Sequence, residues 1–152
     1  MMIEIVDTRI EHIDDISELE KLCFSMPWTR EQLEAQMTNH MHVFLAAQDG
    51  DGRAVGYVGL MHVLDEGYIS NVAVSPAHRR EGIGDMLLDA LRERAEEKKL
   101  AFLTLEVRQS NEPAKSLYKK HGYVEVGLRR NYYAKPTEDA VLMTLFLSEE
   151  EK

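Results

Sequence analysis

Cysteine and long apolar runs are nearly absent from this 152-residue chain. Cys23 is the only cysteine, so no disulfide can form within the chain, and a zinc site built on thiolates would lack its partner ligands. No stretch of about 18 uncharged apolar residues is present, and residues 1–8 carry no basic segment before an apolar block. We therefore expect a cytoplasmic protein of a reducing compartment with no membrane partner.

Positive charge is also scarce. The chain has 18 Lys and Arg residues against 27 Asp and Glu residues, a formal net charge of -9, which argues against nucleic-acid binding. Much of the excess lies in the first twenty residues, where Arg9 is accompanied by the acids Glu4, Asp7, Glu11, Asp14, Asp15, Glu18 and Glu20. A solvated helix face is the favoured interpretation of these acids, and a docking surface for a basic peptide is the alternative.

The length and the hydrophobic content of 44% suit a single core without disulfides or metal staples. We expect one domain over residues 1–147 and a frayed acidic tail over residues 148–152. His40 and His42 could share one strand face, but no third ligand is apparent, so we expect no metal site. A monomer or a weak homodimer is expected.

Hydrophobic periodicity predicts the secondary structure. The predicted strands cover residues 3–6, 43–47, 54–61, 68–74, 101–107, 124–128 and 140–147. The predicted helices run from Ile13 to Cys23, from a capping box at Thr29 to about Met37, over 85–98 and over 113–121. The buried face of the third helix is predicted to comprise Met86, Leu87, Ala90, Leu91 and Ala95. Turns are predicted at 49–52 and 65–67. The order βααβββαβαββ indicates an α/β protein.

The segment from Arg79 to Gly84 lies between an apolar strand ending at Val74 and the third helix. Its two glycines let the backbone approach a ligand, and the N-terminus of the following helix offers unpaired N–H groups and a positive dipole end. These features predict a phosphate site. A third glycine for a dinucleotide fingerprint and the Gly-Lys-Ser/Thr of a P-loop are both absent. An ordinary turn with solvated arginines is the alternative.

The spacing Arg-x-x-Gly-x-Gly between a strand and a helix resembles the pyrophosphate-binding signature of the GNAT superfamily of N-acetyltransferases. Further landmarks of this resemblance are Asn71-Val72-Ala73-Val74, Leu105-Glu106-Val107-Arg108 with Ser110-Asn111, and Leu117-Tyr118 before Gly122-Tyr123. The elbow from Phe24 to Trp28 and the segment from Arg129 to Tyr133 with Glu138-Asp139 look most like the bacterial RimI family. That resemblance implies a GNAT fold, a central mixed and mostly antiparallel sheet flanked by helices.

The resemblance also implies an activity. RimI-like proteins transfer the acetyl group of acetyl-CoA to the N-terminal alanine of a small-subunit ribosomal protein, number eighteen. An N-terminal amine with a pKa of about 7.8 is roughly 14% neutral at pH 7, whereas a lysine amine with a pKa of about 10.4 is roughly 0.04% neutral. An N-terminus is therefore the easier nucleophile. A broader N-terminal or small-amine acetyltransferase and a noncatalytic acyl-CoA-binding module remain as alternatives.

Two residues are expected to move protons. No Ser-His or Cys-His pair is evident, and amines attack thioesters directly, so direct transfer is favoured over an acyl-enzyme. Glu106 interrupts an apolar strand near its C-terminal end, where ligands of open sheets bind. The resemblance makes Glu106 the general base and Tyr118 the general acid. The alternatives are a surface glutamate paired with Arg108 and an aromatic side chain that covers the sheet.

The remaining site residues follow from the same resemblance. Val72, Ala73 and Val74 would splay from the neighbouring strand and offer backbone N–H groups to the thioester carbonyl and the pantetheine amides. The diphosphate of acetyl-CoA would be held by Arg79, Arg80, Glu81, Gly82, Ile83, Gly84 and Asp85. Asn111 would contact the pantetheine arm, with a helix cap as the alternative. Phe24, Trp28, Tyr132 and Tyr133 are candidates for the walls of the peptide slot, with packing of loops against the sheet as the alternative.

Overall fold

The structure is a computed structural model that describes residues 2–147, so the expected tail at 148–152 lies outside the described residues. Its strands are β1 (Glu4–Asp7), β2 (His42–Gln48), β3 (Ala54–Val63), β4 (Glu66–Val74), β5 (Phe102–Arg108), β6 (Val124–Tyr133) and β7 (Glu138–Phe146). Its α-helices are α1 (Ile13–Cys23), α2 (Arg30–Met37), α3 (Ile83–Glu97) and α4 (Glu112–Lys120). Short 3-10 turns at Ile10–His12 and Pro76–His78 precede α1 and α3.

All seven strands form one sheet in the order β1-β2-β3-β4-β5-β7-β6. Only β4 and β5 are parallel, and α3 makes the crossover that a parallel pair needs. Every other neighbouring pair is antiparallel. The predicted element order and the mixed, mostly antiparallel sheet are thereby confirmed.

Helices cover both faces of the sheet, which is why β2 is buried on both sides. Val43 and Leu45 of β2 pack in the core on the side of α3, whereas Phe44 and Ala46 pack on the side of α1 and α2. This two-sided burial explains the nearly continuous apolar run of β2. None of the helices within residues 2–147 is long and apolar enough to cross a membrane.

Several local predictions need correction. The turn between β3 and β4 is Leu64-Asp65, with Leu64 at a φ of 54°, so residues 66 and 67 of the predicted turn already belong to β4. The third helix begins at Ile83 and buries Ile83 and Leu88, whereas the predicted core residues Met86 and Ala90 are half-buried. Strand β6 continues to Tyr133, five residues beyond the prediction, because an exposed strand shows no buried alternation.

The parallel pair β4 and β5 separates after three residue pairs. The last paired residues are Tyr68 and Thr104. Beyond them β4 stays paired with β3 as far as Val74, and β5 stays paired with β7 as far as Arg108. A register shift in the β3–β4 pairing leaves Ser70 without a partner on β3, and such bulges bend a strand. The strands therefore open a gap at the C-terminal end of both.

The packing of α3 on the sheet generates a stability prediction. Leu91 of α3 is fully buried, so Leu91→Ala is expected to lower the free energy of unfolding by about 2–5 kcal/mol through lost burial and a cavity. Leu22→Ala on α1 is the matched control, because Leu22 is 62% exposed and the expected change is within about 0.5 kcal/mol. Urea unfolding of both variants measures the difference. Equal losses would contradict the assigned packing of α3.

Candidate active site

A cavity of about 840 Å³ lies in the gap between β4 and β5. The elbow between α1 and α2, helix α4, and the end of β6 with the β6–β7 connection complete its walls. Among the residues predicted for the site, the cavity brings together Phe24, Trp28, Val72, Glu106, Asn111, Tyr118, Tyr132 and Tyr133. Residues separated by more than a hundred positions in the chain thus line one space.

Glu106 lies on β5 with its side chain 28% exposed at the cavity. Its carboxylate is 3.6 Å from Nε of Arg129, which reaches it from β6. The alternative pairing of Glu106 with Arg108 is wrong, because the Arg108 guanidinium pairs with Glu138 instead. An exposed guanidinium makes a weak ion pair, so the Glu106 carboxylate stays available to a ligand in the cavity.

Tyr118 projects from α4 into the same cavity and is buried, with its ring 5.8 Å from the ring of Tyr123. Burial raises the pKa of the Tyr118 phenol above its ordinary value, and the neighbouring Tyr133 adds to the rise. A raised pKa keeps the phenol protonated at neutral pH. Tyr118 can therefore donate a proton there but cannot act as a base.

The segment from Arg79 to Asp85 lies outside the cavity, at the N-terminus of α3. Gly82 is the N-cap of this helix and has a φ of 80°, in the left-handed region that favours glycine. Arg80 also adopts a positive φ, 67°, which tightens the turn. The first N–H groups of a helix have no partner within it, so this turn has backbone donors for an anion.

Side chains of the segment contribute little to such a site. Glu81 lies 3.2 Å from His78, and Asp85 contacts His121 at 2.7 Å. Hydrogen bonding from His121 and from Lys120 lowers the pKa of Asp85. Ile83 is buried in the core. Only the two arginines offer side-chain donors, and the acidic and apolar members of the segment could contact a diphosphate only through their backbone.

Gly84 has a packing role in addition to the cofactor contact predicted for it. A Cβ at this position would lie 2.9 Å from a methyl group of Leu117, whereas a Cβ at Gly82 would meet open space. Gly84 therefore permits close packing of α3 against α4, and Gly82 supplies the conformation of the turn.

For Asn111, Phe24 and Trp28, the structure shows a position at the cavity together with the structural alternative to a site role. Asn111 caps α4, because its Oδ1 accepts a hydrogen bond from Ala114 N at 3.2 Å, and it also borders the cavity. Phe24 and Trp28 line the cavity while packing against the core under α1 and α2. Of residues 72–74, Val72 lines the cavity, whereas Ala73 packs in the core on the side of α1 and α2.

Glu20 lines the cavity but was not among the residues predicted for the site. Its side chain is buried, and its carboxylate accepts hydrogen bonds from Trp28 N at 2.7 Å, from Asn71 Nδ2 at 3.0 Å and from the hydroxyl of Tyr57. The carboxylate thus connects the elbow to β4 beside the cavity. A signal was present in the sequence, since Glu20 lies four residues after the buried Ile16 on the apolar stripe of α1.

The other acids among the first twenty residues have partners elsewhere. Asp7 pairs with Arg94, Asp14 with Arg30, and Asp15 with Arg53, while Glu11 and Glu18 pair with Arg9 and Lys21. These exposed pairs favour a solvated surface over a docking surface for a basic peptide.

Among the described residues 2–147, no group of three or more His, Cys, Asp or Glu side chains is arranged to hold a metal ion. His40 and His42 accordingly contribute to no such group in that part of the chain.

Three features define the class of this protein: the sheet with its separated parallel strands, the helix N-terminus and the cavity. Residues 13–123 match the acetyltransferase (GNAT) family, and the chain belongs to this family of acetyltransferases. The ribosomal protein bS18-alanine N-acetyltransferase of Escherichia coli strain K12 is 36% identical over 134 residues, which cover 86% of this chain and 88% of the relative.

Solved structures agree with the family assignment. The crystal structure of the E. coli ribosomal-protein-S18-alanine N-acetyltransferase superposes with a TM-score of 0.88 and 30% identity, covering 97% of this chain and 95% of the other. The fold is also similar to Arabidopsis thaliana NAA60 in complex with acetyl-CoA, with a TM-score of 0.86 and 18% identity over 96% of this chain and 99% of the other.

The burial of Glu20 generates the second prediction. Glu20→Leu is expected to lower the free energy of unfolding by about 3 kcal/mol, because one buried donor and two partly buried donors lose their acceptor. Glu18→Leu on the same helix is the matched control, since the Glu18 side chain is 69% exposed and its pair with Lys21 adds little. Thermal and urea unfolding compare the variants, and a Glu20→Leu protein as stable as the control would refute the assignment.

Proposed function

We propose that this chain is an acetyl-CoA-dependent peptide α-N-acetyltransferase whose substrate is the N-terminal alanine of ribosomal protein bS18. One observation carries the proposal: Glu106 and Tyr118 face the same cavity between the separated ends of β4 and β5. The 36% identity with the E. coli bS18-alanine N-acetyltransferase supports the choice of substrate. Residues 1–147 form the catalytic domain in this proposal.

The cosubstrate is acetyl-CoA, and no metal takes part. Its diphosphate binds the backbone N–H groups and arginines of residues 79–85 at the start of α3. The pantetheine arm follows the free edge of β4, where the backbone of Val72, Ala73 and Val74 supplies hydrogen bonds, and Asn111 borders it. This arrangement places the thioester at the cavity mouth beside Tyr118.

The reaction is a direct transfer in which the amide C–N bond forms and the thioester C–S bond breaks. Glu106 takes a proton from the incoming ammonium group, directly or through one water molecule. Backbone N–H groups of β4 stabilise the oxyanion of the tetrahedral intermediate. Tyr118 then donates its phenolic proton to the departing thiolate, and the second proton that the attacking nitrogen loses restores the phenol. The raised pKa of this buried phenol ensures that the proton is present at the start.

The peptide slot determines the choice of amine. Phe24 and Trp28 form one wall, and Tyr132 and Tyr133 form the other. An N-terminal α-amine needs no strong desolvation to be partly neutral at pH 7, which suits a cavity open to water. A ribosomal substrate and acetyl-CoA both belong to the cytoplasm, where we place the activity of a monomer or a weak homodimer.

Mass spectrometry of intact peptides tests the proposal. Acetyl-CoA is incubated with four kinds of substrate: a peptide that carries the bS18 N-terminus beginning with Ala, the same sequence beginning with Met, the same sequence with a blocked N-terminus, and polyamines. A gain of one acetyl group on the Ala peptide alone is expected. Acetylation of polyamines or of Met peptides at equal rates would favour a broader acetyltransferase. Calorimetric binding of CoA without any turnover would indicate a noncatalytic module.

Glu106→Gln removes the proposed base while preserving the size of the side chain. We expect kcat to fall about 100- to 10,000-fold, because amide nitrogen and oxygen atoms cannot take the ammonium proton. Steady-state kinetics with saturating peptide measure the change, and Glu93→Gln on the exposed side of α3 is the control. Near-wild-type kcat in Glu106→Gln would remove the base assignment.

Tyr118→Phe removes the proposed acid but retains the ring that packs beside Tyr123. We expect kcat to fall about 100-fold or more with little change in the KM for acetyl-CoA, because only the proton donor is lost. Tyr68→Phe at the start of β4, outside the residues that line the cavity, is the control. Full turnover by Tyr118→Phe would show that the thiolate leaves without this proton.

A further inference from the structure

We propose that Arg108 is a positioning residue that joins the two walls of the peptide slot and thereby sets the affinity for peptide; this inference rests on the proposed function. The first wall is the elbow, residues 24–28 between α1 and α2. The second wall comprises residues 132–136, the end of β6 and its connection to β7. Arg108, at the end of β5, lies between them and contacts both.

The inference rests on four hydrogen bonds that the Arg108 guanidinium donates. Toward the second wall, the Arg108 guanidinium donates to Ala134 O at 3.1 Å and to Pro136 O at 3.0 Å. Toward the elbow, it donates to Ser25 Oγ at 3.3 Å. A fourth bond, 3.2 Å long, goes to the carboxylate of Glu138.

Glu138 fixes the guanidinium in this position. The carboxylate of Glu138 also accepts a hydrogen bond from Ser110 N at 2.6 Å, and hydrogen bonding from Ser110, first through its side chain and then through its backbone, lowers the pKa of Glu138. The side chains of Arg108 and Glu138 are 24% and 19% exposed, so the pair is shielded more than an ordinary surface ion pair. Glu138, at the start of β7, thus holds the Arg108 guanidinium in place, and the guanidinium reaches from there to both walls.

The same guanidinium orients an aromatic side chain of the slot. Its central carbon lies 4.4 Å from the centre of the Tyr133 ring, within the range of a cation–π interaction. Tyr133 in turn packs edge to face against Tyr132, with 5.1 Å between ring centres. Arg108 therefore holds the backbone of the second wall and also one of its aromatic side chains.

A lysine could replace this function only in part. The planar guanidinium presents several donors in fixed directions, whereas an ammonium is a single point charge. Irregular wall segments have backbone carbonyls without strand partners, and Arg108 supplies donors to two of them. Loss of these bonds should widen and loosen the slot. Binding of the peptide would then have to order both walls, which lowers affinity.

The diphosphate part of the proposed cofactor site, residues 79–85, lies outside this cavity, and this separation provides the test. We expect Arg108→Met to raise the KM for the Ala peptide about tenfold while the KM for acetyl-CoA stays within about twofold, because the lost hydrogen bonds go to the two walls and to Glu138, none of which belongs to the proposed cofactor site. Arg108→Lys should recover only part of the loss. Arg92→Met on α3 is the matched control, since Arg92 is a half-exposed arginine whose ion pair with Glu96 is 3.9 Å long. An unchanged peptide KM in Arg108→Met would overturn the inference.

A double-mutant cycle isolates the link to the elbow. Ser25→Ala removes only the 3.3 Å contact and is expected to raise the peptide KM about threefold in the wild-type background. In the Arg108→Met background the same change should have no effect, because its partner is already absent. Additive effects would show that the two residues act separately and would overturn the proposed coupling.

Amide hydrogen exchange tests the coupling without any turnover. Arg108→Met should accelerate exchange in both segments, 24–28 and 132–136, whereas Arg92→Met should accelerate neither. If the wild-type protein acetylated no peptide, the proposed function would be refuted. The hydrogen-exchange result alone would then test whether Arg108 links the two walls. Acceleration confined to one segment, or to none, would refute that link.

Discussion

The early separation of β4 from β5 is the constraint on which the site depends. Parallel pairing lasts for only three residue pairs, yet both strands remain held in the sheet by β3 and β7. The gap therefore persists in a rigid frame. It brings Glu106 of β5 and Val72 of β4 to one cavity, and α4, which follows β5, delivers Tyr118 to the same space. A sheet paired along its full length would have no room for a ligand between these strands.

Two charged residues support the walls of this gap, and their roles are complementary. Glu20 accepts a backbone N–H of the elbow at Trp28, and Arg108 donates to backbone carbonyls of the opposite wall. Irregular backbone beside a cavity has polar groups without regular partners, and burying them unpaired is unfavourable. Side chains with the appropriate charge satisfy these groups, so the walls combine apolar packing with specific hydrogen bonds.

Much of the fold could be predicted from the sequence, because strands and helices with one buried face have distinct periods. The capping box at Thr29 opens α2 as predicted. The prediction was wrong where burial does not follow a local pattern. Strand β6 is exposed through most of its length and shows no alternation. In α3 the sheet buries Leu88 rather than Met86, which the spacing alone does not decide.

The order of the elements, the glycine turn before α3 and, through family resemblance, the residues expected at the site could all be predicted from the sequence. Which charged groups meet depends on the three-dimensional arrangement. Glu20 contacts Asn71 across 51 positions, and Arg108 contacts Pro136 across 28. It also decided that Glu106 faces Arg129 and not Arg108. Such pairings depend on strand register and helix placement, which hydrophobic periodicity leaves open because it records only which face of each element is buried.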